Sequence, residues 1–238
     1  NLEKFLRINK KKINLIIHLG AITATTETNA KLIIKNNIDL SLFLWDWCSK
    51  NKIRFIYASS AATYGSREGG FDDDLNKLDT LKPLNLYGWS KHLIDREFVR
   101  NSKINAPPQW VGLKFFNVFG PNEYHKGEMK SIIVKIFDKL KRKETVSLFK
   151  SHNRSYLNGE QLRDFIYVKD VVRVISWFIE NKSKNGIFNV GTGVARTFND
   201  LASCVFRFSN ENKKINYIET PVEIREKYQY FTQANISK

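Results

Sequence analysis

Short, nearly unbroken apolar runs alternate along the chain with longer stretches of helical period. The runs are Ile13–Ala21, the segment opening at Phe55, Trp110–Phe116, Val146–Phe149, Arg163–Asp170, Gly186–Gly193 and Ile215–Ile218. Most lack the in-and-out alternation of a half-exposed strand, so they read as strands buried on both faces of a parallel sheet. Between them, apolar residues recur at helical spacing. Leu32, Ile33, Leu40, Phe43, Leu44 and Trp47 predict a helix over Asn29–Lys50. Ile94 and Phe98 predict one that starts near Tyr87 and ends near Asn101. Further helices are predicted over Ser131–Lys143, Val171–Asn181 and 197–208, and residues 1–12 read as a helix end with a basic exit. A loop of Gly, Asp and Asn fills Gly65–Asn76, another loop Asn122–Lys130, and a polar loop Arg154–Gln161. This alternation predicts an α/β fold with a doubly wound parallel sheet.

The pattern changes after Pro121. Residues 1–121 are expected to form a Rossmann-like sheet region, with a strand and helix returning near 164–195. Residues 122–163 and 196–238 are expected to form a small mixed α/β substrate-binding lobe. A dinucleotide fold opens on a strand and a G-x-G-x-x-G turn, and neither stands in this chain; Gly191-x-Gly193 comes too late and lacks the third glycine. The expectation is a partial Rossmann-like fold, with the pyrophosphate loop in a preceding portion.

Composition narrows the class. With 238 residues and 42% apolar content the chain can bury a full core. Nothing in it is long and apolar enough to span a bilayer, and its basic opening is no signal peptide. Cys48 and Cys204 lie far apart in apolar surroundings, so buried free thiols in a reducing, cytoplasmic setting are expected. The net charge of +15 raises the question of nucleic acid. The lysines are spread along the chain among many Asn and Ile, however, and no aromatic–basic interleaving accompanies them. Nucleic acid and membrane are not expected as partners, whereas an anionic small molecule would gain from the field.

Candidate chemistry gathers at Tyr87-Gly88-Trp89-Ser90-Lys91. Four residues apart on a helix, Tyr87 and Lys91 share one face. A phenol titrates near 10, so service as a base at neutral pH requires a fall of roughly 3 units, about 4 kcal/mol of phenolate stabilisation, and a nearby cation acts in that direction. An incidental Tyr and Lys on an amphipathic helix would show the same spacing. A second run, Phe55–Ala58, breaks into Ser59-Ser60. Ligands of open α/β sheets bind at the carboxyl ends of strands, where Ser60 could hold a substrate hydroxyl or merely cap a turn.

A strand-exit Ser with a later Y-x-x-x-K resembles the extended short-chain dehydrogenase/reductase superfamily, in which these residues act at the nicotinamide of NAD(P). Further segments sharpen the likeness: His18-Leu19-Gly20-Ala21, Asn117-Val118-Phe119-Gly120-Pro121, His125-Lys126-Gly127, Arg163-Asp164-Phe165-Ile166-Tyr167-Val168, Phe188–Gly193 and Tyr228–Ala234. Together they resemble the ADP-L-glycero-D-manno-heptose 6-epimerase family from about Ile13 onward.

The resemblance implies NADP as cofactor, with NAD possible, a nucleotide-sugar substrate, and a homo-oligomer at full length. It implies catalytic roles for Tyr87, Lys91, Lys126 and Ser60, with Lys91 placing the nicotinamide ribose and lowering the Tyr87 pKa. Lys126 would serve the opposite face of the sugar carbon, provided burial or a cationic neighbour loosens its proton. Leu19, Gly20, Ala21, Ile22, Thr23, Asn36 and Val118 would lie beside the cofactor along with Tyr87 and Lys91. Ser60, Asn117, Lys126, Glu128, Phe149, Arg163 and Tyr228 would line the ADP-heptose site. Glu128 departs from the small Ser usual in the family. Arg163 could instead pair structurally with Asp164 or Asp170.

Rival expectations are a 4-epimerase, a 4,6-dehydratase, or a non-catalytic relative that binds nucleic acid. A dehydratase would want an acidic pair where Ala61-Ala62 stands. Without backbone N–H groups to cradle a pyrophosphate, residues 1–238 alone are expected to bind NADP weakly or not at all. Calorimetry on this stretch tests that, and micromolar binding contradicts it.

Overall fold

A computed structural model describes residues 1–66, 71–212, 214–225 and 228–238, apart from the side chains of Glu128, Glu223 and Ile224. The expected Gly65–Asn76 loop therefore lies partly outside the described residues. The chain divides into two compact units, one of residues 1–65, 73–115 and 175–189, the other of residues 66–72, 116–174 and 190–238.

The first unit is built on four strands, β1 (Leu15–His18), β2 (Arg54–Ser60), β3 (Trp110–Phe115) and β7 (Gly186–Val190), hydrogen-bonded in that order. β1 pairs with β2 and β2 with β3 in parallel, with His18 opposite Tyr57 and Ser60 opposite Phe115. β1 is shorter than its apolar run suggests, and the chain leaves it at Leu19 as a loop. Helix α1 spans Leu2–Asn9 and ends in a 3-10 turn of three lysines, Lys10–Lys12.

The helix predicted over Asn29–Lys50 forms with one departure. It starts as α2 (Ala30–Ile33), capped by Asn29 Oδ1 accepting from Leu32 N–H, widens to a π-helix over Ile34–Asp39, and resumes as α3 (Leu40–Asn51). Such insertions gather at functional sites. Helix α4 (Leu86–Ser102) begins where Asn85 Oδ1 accepts from Gly88 N–H at 2.9 Å. A Cβ on Gly88 would stand 2.7 Å from the Ala62 carbonyl oxygen, so only glycine lets this turn approach the end of β2.

An aromatic cluster fills the core of this unit. Trp45 of α3 stacks on Phe98 of α4 at 4.3 Å, and Phe98 meets Tyr57 edge-on at 4.9 Å. Phe55 and Trp110 complete it. Cys48 is buried beside it, and burial pushes its thiol up to about 12.

In the second unit β4 (Asn117–Phe119) pairs in parallel with β6 (Leu162–Tyr167), and β6 pairs antiparallel with β8 (Ala195–Thr197). β5 (Val146–Phe149) and β9 (Ile215–Ile218) form a parallel pair. Helices α5 (Ile132–Lys141) and α7 (Phe198–Phe208) bury Ile136, Leu201 and Phe206 against Val146 and Leu148. Helix α6 (Val168–Glu180) follows β6 directly, three residues earlier than the sequence pattern suggests, and from Ile175 onward it is counted with the first unit. Asp164 on β6 is fully buried and accepts from Thr192 N–H, Thr192 Oγ, Gly193 N–H and Ala234 N–H at 2.7–3.0 Å, tying the glycine turn and the tail to one carboxylate. Cys204 on α7 is exposed, which corrects the expectation of two buried thiols: the helix turns its apolar stripe inward and leaves this residue outside. Among the described residues no helix is long and apolar enough to cross a membrane, and no cluster could hold a metal ion.

Phe98 touches three other rings and has no solvent contact. Phe98→Ala is expected to lower the unfolding free energy by about 3–5 kcal/mol, read from urea denaturation; a loss under about 1 kcal/mol would mean that the cluster closes over the gap.

Candidate active site

Helix α4 presents Tyr87 in its first turn and Lys91 one turn on. Ser60 ends β2, and its Oγ accepts from Ala62 N–H at 3.1 Å, capping the 3-10 turn that follows. The same hydroxyl acts on the Tyr87 phenol and favours its ionised form. The capping role and the candidate catalytic role therefore fall to one side chain.

Lys91 is 2% exposed, and its Nζ donates to the Ala58 carbonyl on β2 at 2.8 Å. Burial lowers its pKa from 10.5 to about 8, with the Asp95 carboxylate pulling back upward. The phenol behaves differently from expectation. Burial raises the Tyr87 pKa, the Ser60 hydroxyl lowers it, and Asp95 raises it further. In place of the expected ammonium, a hydroxyl dipole supplies the downward pull.

The loop after β1 carries Leu19, Gly20, Ala21, Ile22 and Thr23. Leu19, Gly20 and Thr23 are exposed, and a Cβ on Gly20 would meet nothing within 4 Å. This open backbone at a strand's carboxyl end, beside a buried ammonium and a phenol, fits a nicotinamide dinucleotide lying along the strand ends.

Sequence reasoning singled out Asn36 on the neighbouring helix, but its Nδ2 donates to Leu32 O within that helix. The side chain that holds the loop is Asn37. Fully buried, it accepts from Ile22 N–H at 2.8 Å, donates to Ile22 O at 3.0 Å and donates to Ser90 Oγ on α4 at 3.0 Å. The π turn places it there. His18 continues the polar line, its Nε2 lying 3.0 Å from Ser41 Oγ, and Ser41 donates to Asn37 O at 2.5 Å. Burial, with Lys91 nearby, lowers the His18 pKa from 6.5 to about 4, so the imidazole is neutral at physiological pH.

The second unit holds the other candidates. Asn117 and Val118 sit on β4, Asn117 exposed and Val118 half-buried. Lys126 lies in a 3-10 turn, Tyr124–Met129, beside Gly127 at φ 52°. The condition set for Lys126 is not met: it is 44% exposed and its neighbour is a carboxylate, Glu123, at 3.7 Å. Glu123 is itself a buried fixture. Burial alone would raise its pKa, but hydrogen bonds from Ser131 and Gly120 outweigh that and hold it below the ordinary value. The Glu128 side chain lies outside the described residues.

Phe149, Arg163 and Tyr228 line one cavity of about 440 Å³, together with Lys130, Lys135 and Lys139. Arg163 is 7% exposed and pairs with neither Asp164 nor Asp170. One guanidinium N–H donates to Leu162 O at 2.8 Å, and the plane lies 5.1 Å from the Tyr228 ring and 5.7 Å from Phe198. Asp170 pairs with Arg173 instead. Burial lowers the Arg163 pKa and raises that of Tyr228, which Arg163 pulls back down. A guanidinium clamped by aromatic rings in a basic cavity suits phosphate oxygens. A larger apolar groove of about 980 Å³ beside Phe137 and Phe208 includes none of the candidate residues.

Known proteins bear on this arrangement. A family model described as the NAD dependent epimerase/dehydratase family matches residues 1–191. The ADP-L-glycero-D-manno-heptose-6-epimerase of Fusobacterium nucleatum is 45% identical over 248 residues, covering 100% of this chain and 74% of that protein. Among solved structures, the Helicobacter pylori ADP-L-glycero-D-manno-heptose-6-epimerase matches with a TM-score of 0.80 at 30% identity, over 100% of this chain and 68% of that one. A UDP-N-acetylglucosamine 4-epimerase from Methanobrevibacter ruminantium matches with a TM-score of 0.83 at 26% identity, over 100% and 71%.

Because the folded Lys91 pKa lies below its unfolded value, folding stability is expected to rise as pH climbs from about 8 to 10.5 and to be lost as pH falls through that window. Lys91→Met should flatten this part of the stability–pH curve. An unchanged slope in the variant contradicts the burial argument.

Proposed function

Since the chain belongs to the NAD-dependent epimerase/dehydratase family, we propose that it works as an ADP-glyceromanno-heptose 6-epimerase. It interconverts ADP-D-glycero- and ADP-L-glycero-β-D-manno-heptose, supplying heptose for lipopolysaccharide core. The observation that carries this reading is the Ser60 hydroxyl acting on the Tyr87 phenol at the end of β2, with Lys91 buried one turn further along α4.

Inverting a carbon that bears only an alcohol is difficult, because its C–H bond is not acidic. Passing through a ketone removes that obstacle. A bound nicotinamide dinucleotide, with NADP proposed over NAD, supplies a hydride acceptor and then a hydride donor. The chain's own groups handle the rest. Tyr87 takes the proton of the alcohol of one epimer as hydride leaves, and gives a proton back when that same epimer is re-formed. Ser60 orients the oxygen and steadies the phenolate. Lys91 holds the ribose and adds positive charge to the site. Lys126 is assigned the proton transfer for the opposite face. In that role its proton must be loosened by substrate closing around it, since Glu123 and solvent attend it now. Arg163, clamped by Tyr228 and Phe198, is assigned the diphosphate of ADP, with Phe149 and Tyr228 as apolar walls. Leu19 to Thr23, with Ile22 steadied by Asn37, are assigned to the cofactor, as is Val118, and Asn117 is assigned to the substrate.

In the full-length enzyme Tyr87→Phe and Lys126→Met are each expected to cut turnover of ADP-heptose by about tenfold or more. Assays with ADP-heptose and UDP-galactose side by side test the substrate. Turnover of UDP-galactose alone overturns the 6-epimerase reading, and full activity in Lys126→Met removes that residue from the reaction.

A further inference from the structure

One turn beyond Lys91, Asp95 has no solvent contact at all. Its carboxylate accepts from Tyr57 OH at 2.9 Å and from Ser59 Oγ at 2.7 Å, both on β2. It pairs with Lys114 Nζ of β3 at 2.9 Å, and Lys114 is 1% exposed. The same ammonium donates to Thr63 Oγ1 at 2.6 Å and lies 4.7 Å from the centre of the Tyr64 ring. Every polar atom of the cluster comes from β2, β3, α4 or the turn after β2, so one carboxylate joins the catalytic helix to both central strands.

A buried ion pair is weak evidence for stability, because well-packed apolar residues of the same volume often serve as well or better. Its place therefore asks for another explanation. Three turns of α4 supply one. Tyr87, Lys91 and Asp95 stand at successive four-residue steps on one face, so a change at Asp95 acts on both groups through the helix and through space.

We propose that the buried Asp95–Lys114 pair is a positioning device for the Tyr87–Lys91 couple. It pins α4 to β2 and β3 at one pitch and keeps a balanced potential beneath phenol and ammonium. The inference rests on the catalytic reading of Tyr87 given above.

The groups facing the couple fix the signs. Tyr87 faces Ser60 at the end of β2 and Asp95 on its own helix. Lys91 faces the Ala58 carbonyl on β2, His18 on β1 and Asp95. Asp95 faces Tyr57, Ser59 and Lys114, and also His92, which in turn feels Arg96 and Asp79. Asp95 pushes the pKa of Tyr87 and of Lys91 upward. Removing its charge leaves Lys114 uncompensated and shifts Tyr87 downward. Removing the Lys114 charge leaves Asp95 uncompensated and shifts Tyr87 upward.

The test is the pH profile of kcat/KM in the full-length enzyme with NADP. Asp95→Asn, which keeps the two hydroxyl partners, is expected to move the acid limb to lower pH, and Lys114→Met to higher pH, each by about half a unit or more. The double variant should bring the limb back towards its starting point. Two shifts of the same sign, or a fall in kcat with no shift, mean a purely structural pair and overturn the proposal. Should a single variant fail to fold, Ser59→Ala deletes one hydrogen bond to Asp95 and leaves both charges. Its limb should move in the direction expected for Lys114→Met, and a stationary limb counts against the proposal. If the unaltered enzyme does not turn over ADP-heptose, the functional reading fails by itself. The phenol titration of Tyr87, taken as an ultraviolet difference against Tyr87→Phe, then reads the same two signs.

Discussion

A carboxylate sealed between a helix and two strands is the constraint around which the first unit is arranged. Asp95 takes hydrogen bonds from Tyr57 and Ser59 and an ion pair from Lys114. A buried charge of this kind admits few alternatives: each acceptor site must be filled, and each donor must come from a fixed direction. Strand β2 meets the demand by turning Tyr57 and Ser59 to the side facing α4, two residues apart as the pleat requires. The intervening residues face the other way, and Ala58 gives up only its carbonyl, which receives Lys91. Ser60 follows at the strand exit and meets Tyr87. The polar chemistry of the helix is thus written twice over in consecutive residues of one strand.

The second unit uses the same device for another purpose. Asp164 gathers four donors from the glycine turn and the tail, and Glu123 gathers three from Gly120 and Ser131. These carboxylates order loops that have little apolar surface of their own. Arg163, next to Asp164 on β6, has no carboxylate partner among the described residues and lies between aromatic rings, as a group kept for an anion would.

Much of this was readable in advance, and the unreadable parts share a physical cause. Buried strands announce themselves by unbroken apolar runs, so β2, β3, β5 and β9 fall where the pattern puts them. β4 and β8 have three residues each and leave no periodic trace. The Y-x-x-x-K spacing identifies a shared helix face, and the helix carries it. The resemblance pointed to Asn36, whereas the π turn aims the adjacent Asn37 at the loop, because it changes the helical pitch without altering the composition. The protonation behaviour of Tyr87 and the surroundings of Lys126 depend on which groups arrive from distant segments. Spacing cannot announce that Lys91 is spent on a carbonyl or that Glu123 stands beside Lys126.

The widened stretch at Ile34–Asp39 has a genetic corollary. A π turn holds one residue more than the α turn it replaces, so it marks a place where a codon can be tolerated as an insertion only if something rewards it. Excising a single residue there would restore the ordinary winding, leave the flanking turns close to their present phase and re-aim only the side chains of the widened stretch. Asn37 would then swing away from Ile22 while Trp45 and Cys48 kept their seats in the core. Length polymorphism at this one spot would spare the body of the molecule and strike only the grip on the loop after β1.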